Sequence, residues 1–391
     1  MAGLGYLATA TPLRLASAGS LVALPILAVQ QLDDVAVGAA LVAAALAPAV
    51  LAAPFAGVAL DRARRPRRLV VLSALVTVAG FSAGALLGVL PLWLIATLLL
   101  LAGCAAPFYF GGLSSFVTDA IPDERKAYAY DTLSYNIASV GGPALVALAG
   151  LGGSAALGMW LMAAAAAVGA VSILGLRFTA REPSGTPWTG TIVSGARHLV
   201  GHRGLRLVIL SSTIVQIGFG AMPIVAVALA SERSGDVHDA ALIVTAFALG
   251  GLVGAVLTAA RRWTRLAPAV VMGAGFAVIG LITLLAIPDL GMPWTVVVIG
   301  LSGVLHAATS AAMLLLRQLT SPPVLRSQVF TIGSGLRSAS AALGAAVAGA
   351  AAGLEAGWLV AGMAAYWIVG GLIMVGFPAR DAEASGSPSA P

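Results

Sequence analysis

Residues 57–66 read GVALDRARRP and residues 254–263 read GAVLTAARRW, which sets Gly57 over Gly254 and Arg64–Arg65 over Arg261–Arg262. A second pair follows: DAIPDERKAY at 119 aligns with LTSPPVLRSQ at 319, with Pro122 over Pro322 and Lys126 over Arg326. Two such matches in the same order describe one structural unit used twice. The chain around them is apolar. Hydrophobic residues make up 60% of 391 and charged residues only 9%, against about 45–50% apolar in a soluble domain, and the mean hydropathy is +1.00. Burial in a water-surrounded core cannot absorb that much apolar surface, so the surrounding solvent is a bilayer. The apolar runs are continuous rather than alternating, which selects helices over a β-barrel.

Runs of about 20 apolar residues, the length that crosses about 30 Å of hydrocarbon, fall near 11–31, 36–59, 69–90, 92–118, 127–151 and 155–177, and again near 206–230, 239–260, 267–287, 293–316, 327–352 and 357–377. The expected fold is an all-α polytopic membrane protein with twelve transmembrane helices in two pseudo-symmetric six-helix bundles, 1–177 and 206–378. A cytoplasmic linker, 178–205, joins them, and a polar tail, 379–391, is expected to be disordered. The first segment has no basic region ahead of its apolar run and is expected to be retained rather than cleaved.

Arginines accumulate in alternate loops. Arg62, Arg64, Arg65, Arg67, Arg68, Arg125, Lys126, Arg177, Arg181, Arg197, Arg203, Arg261, Arg262, Arg265, Arg317 and Arg326 fall on one side, while the other holds Arg233 among Asp33, Asp34, Glu232, Asp236, Asp239 and Asp289. Positive charge stays inside, so the first side and both termini are expected in the cytoplasm, with the chain in the plasma membrane. Lys126 is the only lysine and no GxxxxGK phosphate loop is present, which excludes ATP use in the manner of P-loop pumps. Cys104 is the only cysteine, so no disulfide or thiolate metal site forms within the chain. No enzymatic activity, cofactor or metal is expected, and His198 and His202, four apart in GARHLVGHRGLR, read as part of a short interfacial helix.

The loop after span 2 then becomes specific. Gly57, Asp61, Arg62 and Arg65 match a GxxxDRxxR core, and over its full length the chain resembles the major facilitator superfamily, most of all its twelve-helix drug exporters. Arg64 replaces a usual glycine and Pro66 a usual basic residue. The resemblance implies a gate latch, in which Asp61 meets the start of helix 11 and Arg65 reaches Asp119. On helix 5, SYNIASVGGPALVA carries Gly142–Pro143, similar to the glycine-proline pair of the exporter signature, with Ala138 and Ala147 in place of two glycines. The arginine that exporters often carry on helix 4 is missing from LLLLAGCAAPF around Gly103. What the resemblance implies is a secondary active transporter, proton-coupled and exporting a small amphipathic or drug-like molecule by alternating access. An importer or facilitator of a small polar or anionic solute, or a transporter-like membrane sensor without flux, is the alternative.

Polar residues at membrane depth are the remaining signal, because each is costly unless it faces protein or water. Arg337 falls near the middle of helix 11, His306 of helix 10, Gln216 of helix 7 and Asn136 of helix 5. The resemblance implies that they share a central cavity. Gln216 and Asn136 read equally as interhelical hydrogen bonds and His306 as a packing residue or a proton carrier. Arg14 and Asp131 each lie about a turn inside the cytoplasmic face, on helices 1 and 5, to pair with each other or to carry protons. The partners expected are a small-molecule substrate, protons and the lipid bilayer, with no nucleic acid, for a monomer. GFSAG at 80–84 spells a hydrolase GxSxG without its context, and Gly80, Gly84 and Gly88 read as one small-residue packing stripe.

Overall fold

The computed structural model describes residues 2–152, 154–179, 197–260, 266–321 and 326–378. Among them, helix follows helix in twelve spans. The first half holds α1 (Ala2–Leu32), α2 (Val35–Leu46, continued by Ala49–Arg62), α3 (Pro66–Ala85), α4 (Leu92–Ser115), α5 (Glu124–Gly150) and α6 (Ala155–Ser172). The second holds α7 (Arg203–Arg233), α8 (Ala240–Ala260), α9 (Pro268–Leu284), α10 (Met292–Val304, continued by His306–Leu319), α11 (Arg326–Ala350) and α12 (Ala356–Ile373). Ten helices are long and apolar enough to cross a membrane by length and composition. Of the other two spans, α9 has 17 residues, and α11 is long but rich in Ala, Gly and Ser. The 379–391 tail, most of the 178–205 linker, Arg261, Arg262, Arg265 and Pro322 lie outside the described residues. A helical stretch at 197–201 precedes α7.

Local chemistry sets the boundaries. Pro66 and Pro268 open α3 and α9 at the position where a missing N–H costs nothing. Asp34 caps α2, accepting from the Ala36 and Val37 N–H groups at 2.7 and 3.1 Å. Pro48 breaks α2 because it lacks a donor for the helical ladder. Pro12 behaves differently: the sequence reading starts helix 1 near residue 11, yet α1 runs through Pro12 from Ala2, which brings Tyr6 into the core. The α3 stripe is also shorter than expected. The helix ends at Ala85, and Gly88 lies beyond it in a turn at φ +88°, a conformation that favours glycine.

The two halves pack alike. In the first, α1 lies against α5 and α6, and α2 against α4; in the second, α7 lies against α11 and α12, and α8 against α10. Small residues allow the closest approaches. A Cβ on Gly142 of α5 would stand 2.6 Å from the Gly19 nitrogen and 2.7 Å from the Leu15 oxygen of α1, and Gly344 of α11 faces Ile217 of α7 in the same manner. Between halves, α2 packs on α11 and α5 on α8, the exchange a twofold relation demands. Leu51, Trp93, Val256 and Trp358 remain exposed on the outside. That is the surface hydrocarbon covers.

Candidate functional site

Two groups of polar side chains occupy the interior, one in each half. In the first half, Arg14 of α1 is 1% exposed, and its Nη2 lies 2.8 Å from Oδ1 of Asp131 on α5. Its Nη1 donates to the Asp131 carbonyl at 3.1 Å and to Ser134 Oγ. Its Nη2 also reaches Ser114 Oγ at 2.9 Å and the Phe110 carbonyl at 3.3 Å, both on α4. The Tyr135 ring lies 3.6 Å from the guanidinium carbon, a cation–π contact. The same Oδ1 of Asp131 also accepts from the Tyr6 hydroxyl at 2.5 Å and from Ser114 Oγ at 3.1 Å. One cation and one anion thus share a desolvated knot that ties α1, α4 and α5 together. Hydrogen bonds satisfy most of the pair's remaining valences, with Arg14 Nε left buried without a partner.

The second half is built from different charges. Arg337 of α11 donates from Nε and Nη2 to Oε1 of Gln216 on α7, at 3.2 and 3.1 Å. Arg317, grouped with the loop arginines on sequence grounds, lies instead inside α10 at 2% exposure and donates to Ser212 Oγ of α7 at 2.6 Å. The cause is register: Thr309, Met313 and Leu316, spaced by one helical turn from one another or from Arg317, are buried with it on one face. His306 starts the second segment of α10, with Nε2 3.4 Å from Ser310 Oγ and Nδ1 buried without a partner. Its ring lies 4.8 Å from Phe219 and 5.5 Å from Phe247, and Trp367 stands 5.0 Å from Phe219. Asn136 is exposed on α5, apart from this group.

The residues expected to form the gate latch map to the arginine-rich end. Gly57 has open space around its Cβ position. The helix of α2 closes at Arg62, and the side chains of Asp61 and Arg62 lie outside what is described. Arg65 is exposed just ahead of α3. Asp119 Oδ2 accepts from the Thr179 N–H at 2.7 Å, in the chain leaving α6. At the opposite end the halves are joined directly. Nε2 of His238, which precedes α8, lies 3.2 Å from Gln30 Nε2 on α1, while its Nδ1 meets Asp236 Oδ1 at 2.6 Å. Gln30 Oε1 accepts in turn from the Ala155 N–H at 2.9 Å. The His238 N–H donates to Asp236 and, with the neighbouring ring, holds that carboxyl below the usual carboxylate range. No motif marked this contact, since its two residues are 208 positions apart.

His198 and His202 pack ring on ring at 5.6 Å, and among the described residues no three His, Cys, Asp or Glu side chains gather as a metal site.

Comparison with known proteins places the chain. The sequence model of the Major Facilitator Superfamily matches residues 7–210. An uncharacterized MFS-type transporter, y4rN, of Sinorhizobium fredii is 28% identical over 356 residues, covering 88% of this chain and 86% of that protein. Among solved structures, a variant of the peptide transporter POT in complex with alafosfalin superposes with a TM-score of 0.75 at 14% identity, covering 98% of this chain and 96% of its own. A variant of the nucleoside transporter NupG gives 0.77 at 14% identity, covering 96% of this chain and 100% of its own. At that identity the two structures speak for the fold alone.

Proposed function

The chain belongs to the Major Facilitator Superfamily and is a multi-pass membrane transporter, and we propose that it exchanges protons for a small amphipathic molecule, which it exports by alternating access. The observation that carries this reading is the knot around Asp131. Among the described residues it is the one carboxylate embedded within a helical span rather than at a span's end, and its partner Arg14 is buried beside it. An ionisable pair buried inside the protein is costly to keep, which marks it as a functional candidate.

A proton arriving on Asp131 cancels the carboxylate charge and leaves Arg14 with neutral acceptors only, Ser114, Ser134 and two backbone carbonyls. The knot then changes from electrically neutral to singly positive. An attraction of a few kcal/mol gained or lost there is ample, because 1.4 kcal/mol shifts a two-state equilibrium about tenfold. Arg14 stands in for the helix 4 arginine that the exporter pattern leads one to expect. Support for export comes from Gly142–Pro143, since Gly142 is where α5 meets the α1 backbone. The gate-latch role of Gly57, Asp61, Arg62, Arg65 and Asp119 is part of the same reading.

The test is flux in proteoliposomes, using ligands found by a thermal-shift screen of the purified chain. Acid outside should accelerate release of trapped ligand in the intact protein, and Asp131→Asn should remove the acceleration while ligand counterflow persists. Acid outside that instead accelerates uptake would make the protein an importer.

A further inference from the structure

The second half carries one buried and one half-buried positive charge inside its bundle, Arg317 and Arg337, with no carboxylate beside them among the described residues. Arg317 and Arg337 are held by Ser212 and Gln216, both neutral and one turn apart on α7. Every described carboxylate of that half, Glu232, Asp236, Asp239, Asp289 and Glu355, falls at the far end of the bundle in the chain segments joining its helices or at a helix terminus. Asp131, inside α5 of the other half, is already taken by Arg14 at 2.8 Å.

The two guanidiniums are neighbours. A Cβ on Gly333 of α11 would lie 3.4 Å from Arg317 Nη1, and Arg337 follows one turn later on the same face. Arg317, 2% exposed, is the deeper charge, and its Nε has no partner. Arg337 is partly exposed in front of it. One turn beyond Gln216 on α7 comes Phe219, also partly exposed, with His306 at 4.8 Å. Charge and ring surface are therefore side by side.

We infer that this face binds a small organic anion, its carboxylate on Arg337 with Arg317 behind, and its apolar body against Phe219 and His306. The inference rests on the transport reading above and names the substrate class. The physical reason is that paired cations in a poorly solvated interior lack the neutralising partner that Asp131 gives Arg14, and an incoming carboxylate supplies it with charge-assisted hydrogen bonds. Neutral Ser212 and Gln216 orient the guanidiniums without satisfying their charge. A site of this kind discriminates by charge first and by the shape of the apolar body second.

The experiment uses the purified full chain and matched pairs of probes: benzoate, 1-naphthoate and hexanoate, each against its primary amide, by thermal shift and equilibrium dialysis. The carboxylates should bind at least about tenfold tighter than their amides, the value of one charge-assisted hydrogen bond. Arg337→Gln should abolish that preference, Arg337→Lys should retain part of it, and Arg317→Met should weaken carboxylate binding in a protein that remains monodisperse. The inference is overturned if no carboxylate binds, if the amides bind as well, or if the preference survives Arg337→Gln. Proton-driven flux of neutral or cationic ligands without carboxylate preference would strike this inference alone. Tight carboxylate binding without flux would strike the transport reading and leave this one standing.

Discussion

Removing the carboxylate of Asp131 tests whether the Arg14 knot is a coupled unit. Asp131→Asn leaves an amide oxygen near the guanidinium but withdraws the negative charge 2.8 Å from Nη2. A buried charge stripped of its partner costs about 3–5 kcal/mol. Arg14 keeps Ser114, Ser134, the Phe110 carbonyl and the Tyr135 face, so the loss should be smaller, about 2 kcal/mol. Arg14→Gln should cost a similar amount, since it leaves Asp131 with the Tyr6 and Ser114 hydroxyls alone. The double variant replaces a buried ion pair by two amides, an exchange that is often near neutral. Measured by denaturant titration in detergent, the double variant should be less destabilised than the sum of the singles by about 1–3 kcal/mol. Additivity within about 0.5 kcal/mol would show that the two side chains do not act as a pair.

Other outcomes follow from single contacts. Asp61→Asn should lower transport in proteoliposomes while membrane insertion stays normal, and unchanged rates would remove the latch role. Gly142→Val places side-chain atoms against the Gly19 nitrogen and Leu15 oxygen, so it should lower stability by about 1–3 kcal/mol in the same titration. Gln30→Ala removes the bond from α1 to His238 and should shift the closed population at that end several-fold, about the worth of one hydrogen bond, as read by spin-label distances between α1 and α8. Asp236 is held below the usual carboxylate range by the His238 N–H, so its contribution to the 236–239 turn is present above its ordinary pKa and is lost only as pH falls through the depressed one. Hydrogen exchange at the His238 amide, corrected for its intrinsic rate, should show equal protection at pH 7 and pH 5.

Much of this architecture is legible in the sequence because membrane burial writes itself in long apolar runs. The two halves follow from GVALDRARRP and its partner at 254, and Arg14 and Asp131 were recognisable as a pair from charge at matching depth. Arg317 was not. It stands at the end of an apolar run beside a polar QLTSPP stretch, where hydropathy reads a loop, and only the one-turn spacing to Met313 and Thr309 betrays an inward face. Tyr6 was missed because Pro12 passes for a helix start, although a long membrane helix tolerates it. The Gln30–His238 contact had no local signal at all, since a single hydrogen bond between a helix end and a distant turn leaves no pattern in either segment. Gln216 and Arg337 were each visible as polar residues at depth, and an interhelical hydrogen bond was one of the two readings for Gln216, though its partner was not legible.

The central claim is that protonation of Asp131 couples to solute movement, and release of trapped ligand from proteoliposomes with and without a proton gradient tests it most directly. The account predicts release accelerated by external acid in the intact protein, and release indifferent to the gradient, with counterflow preserved, in Asp131→Asn. A gradient-driven rate in Asp131→Asn equal to that of the intact protein would contradict it.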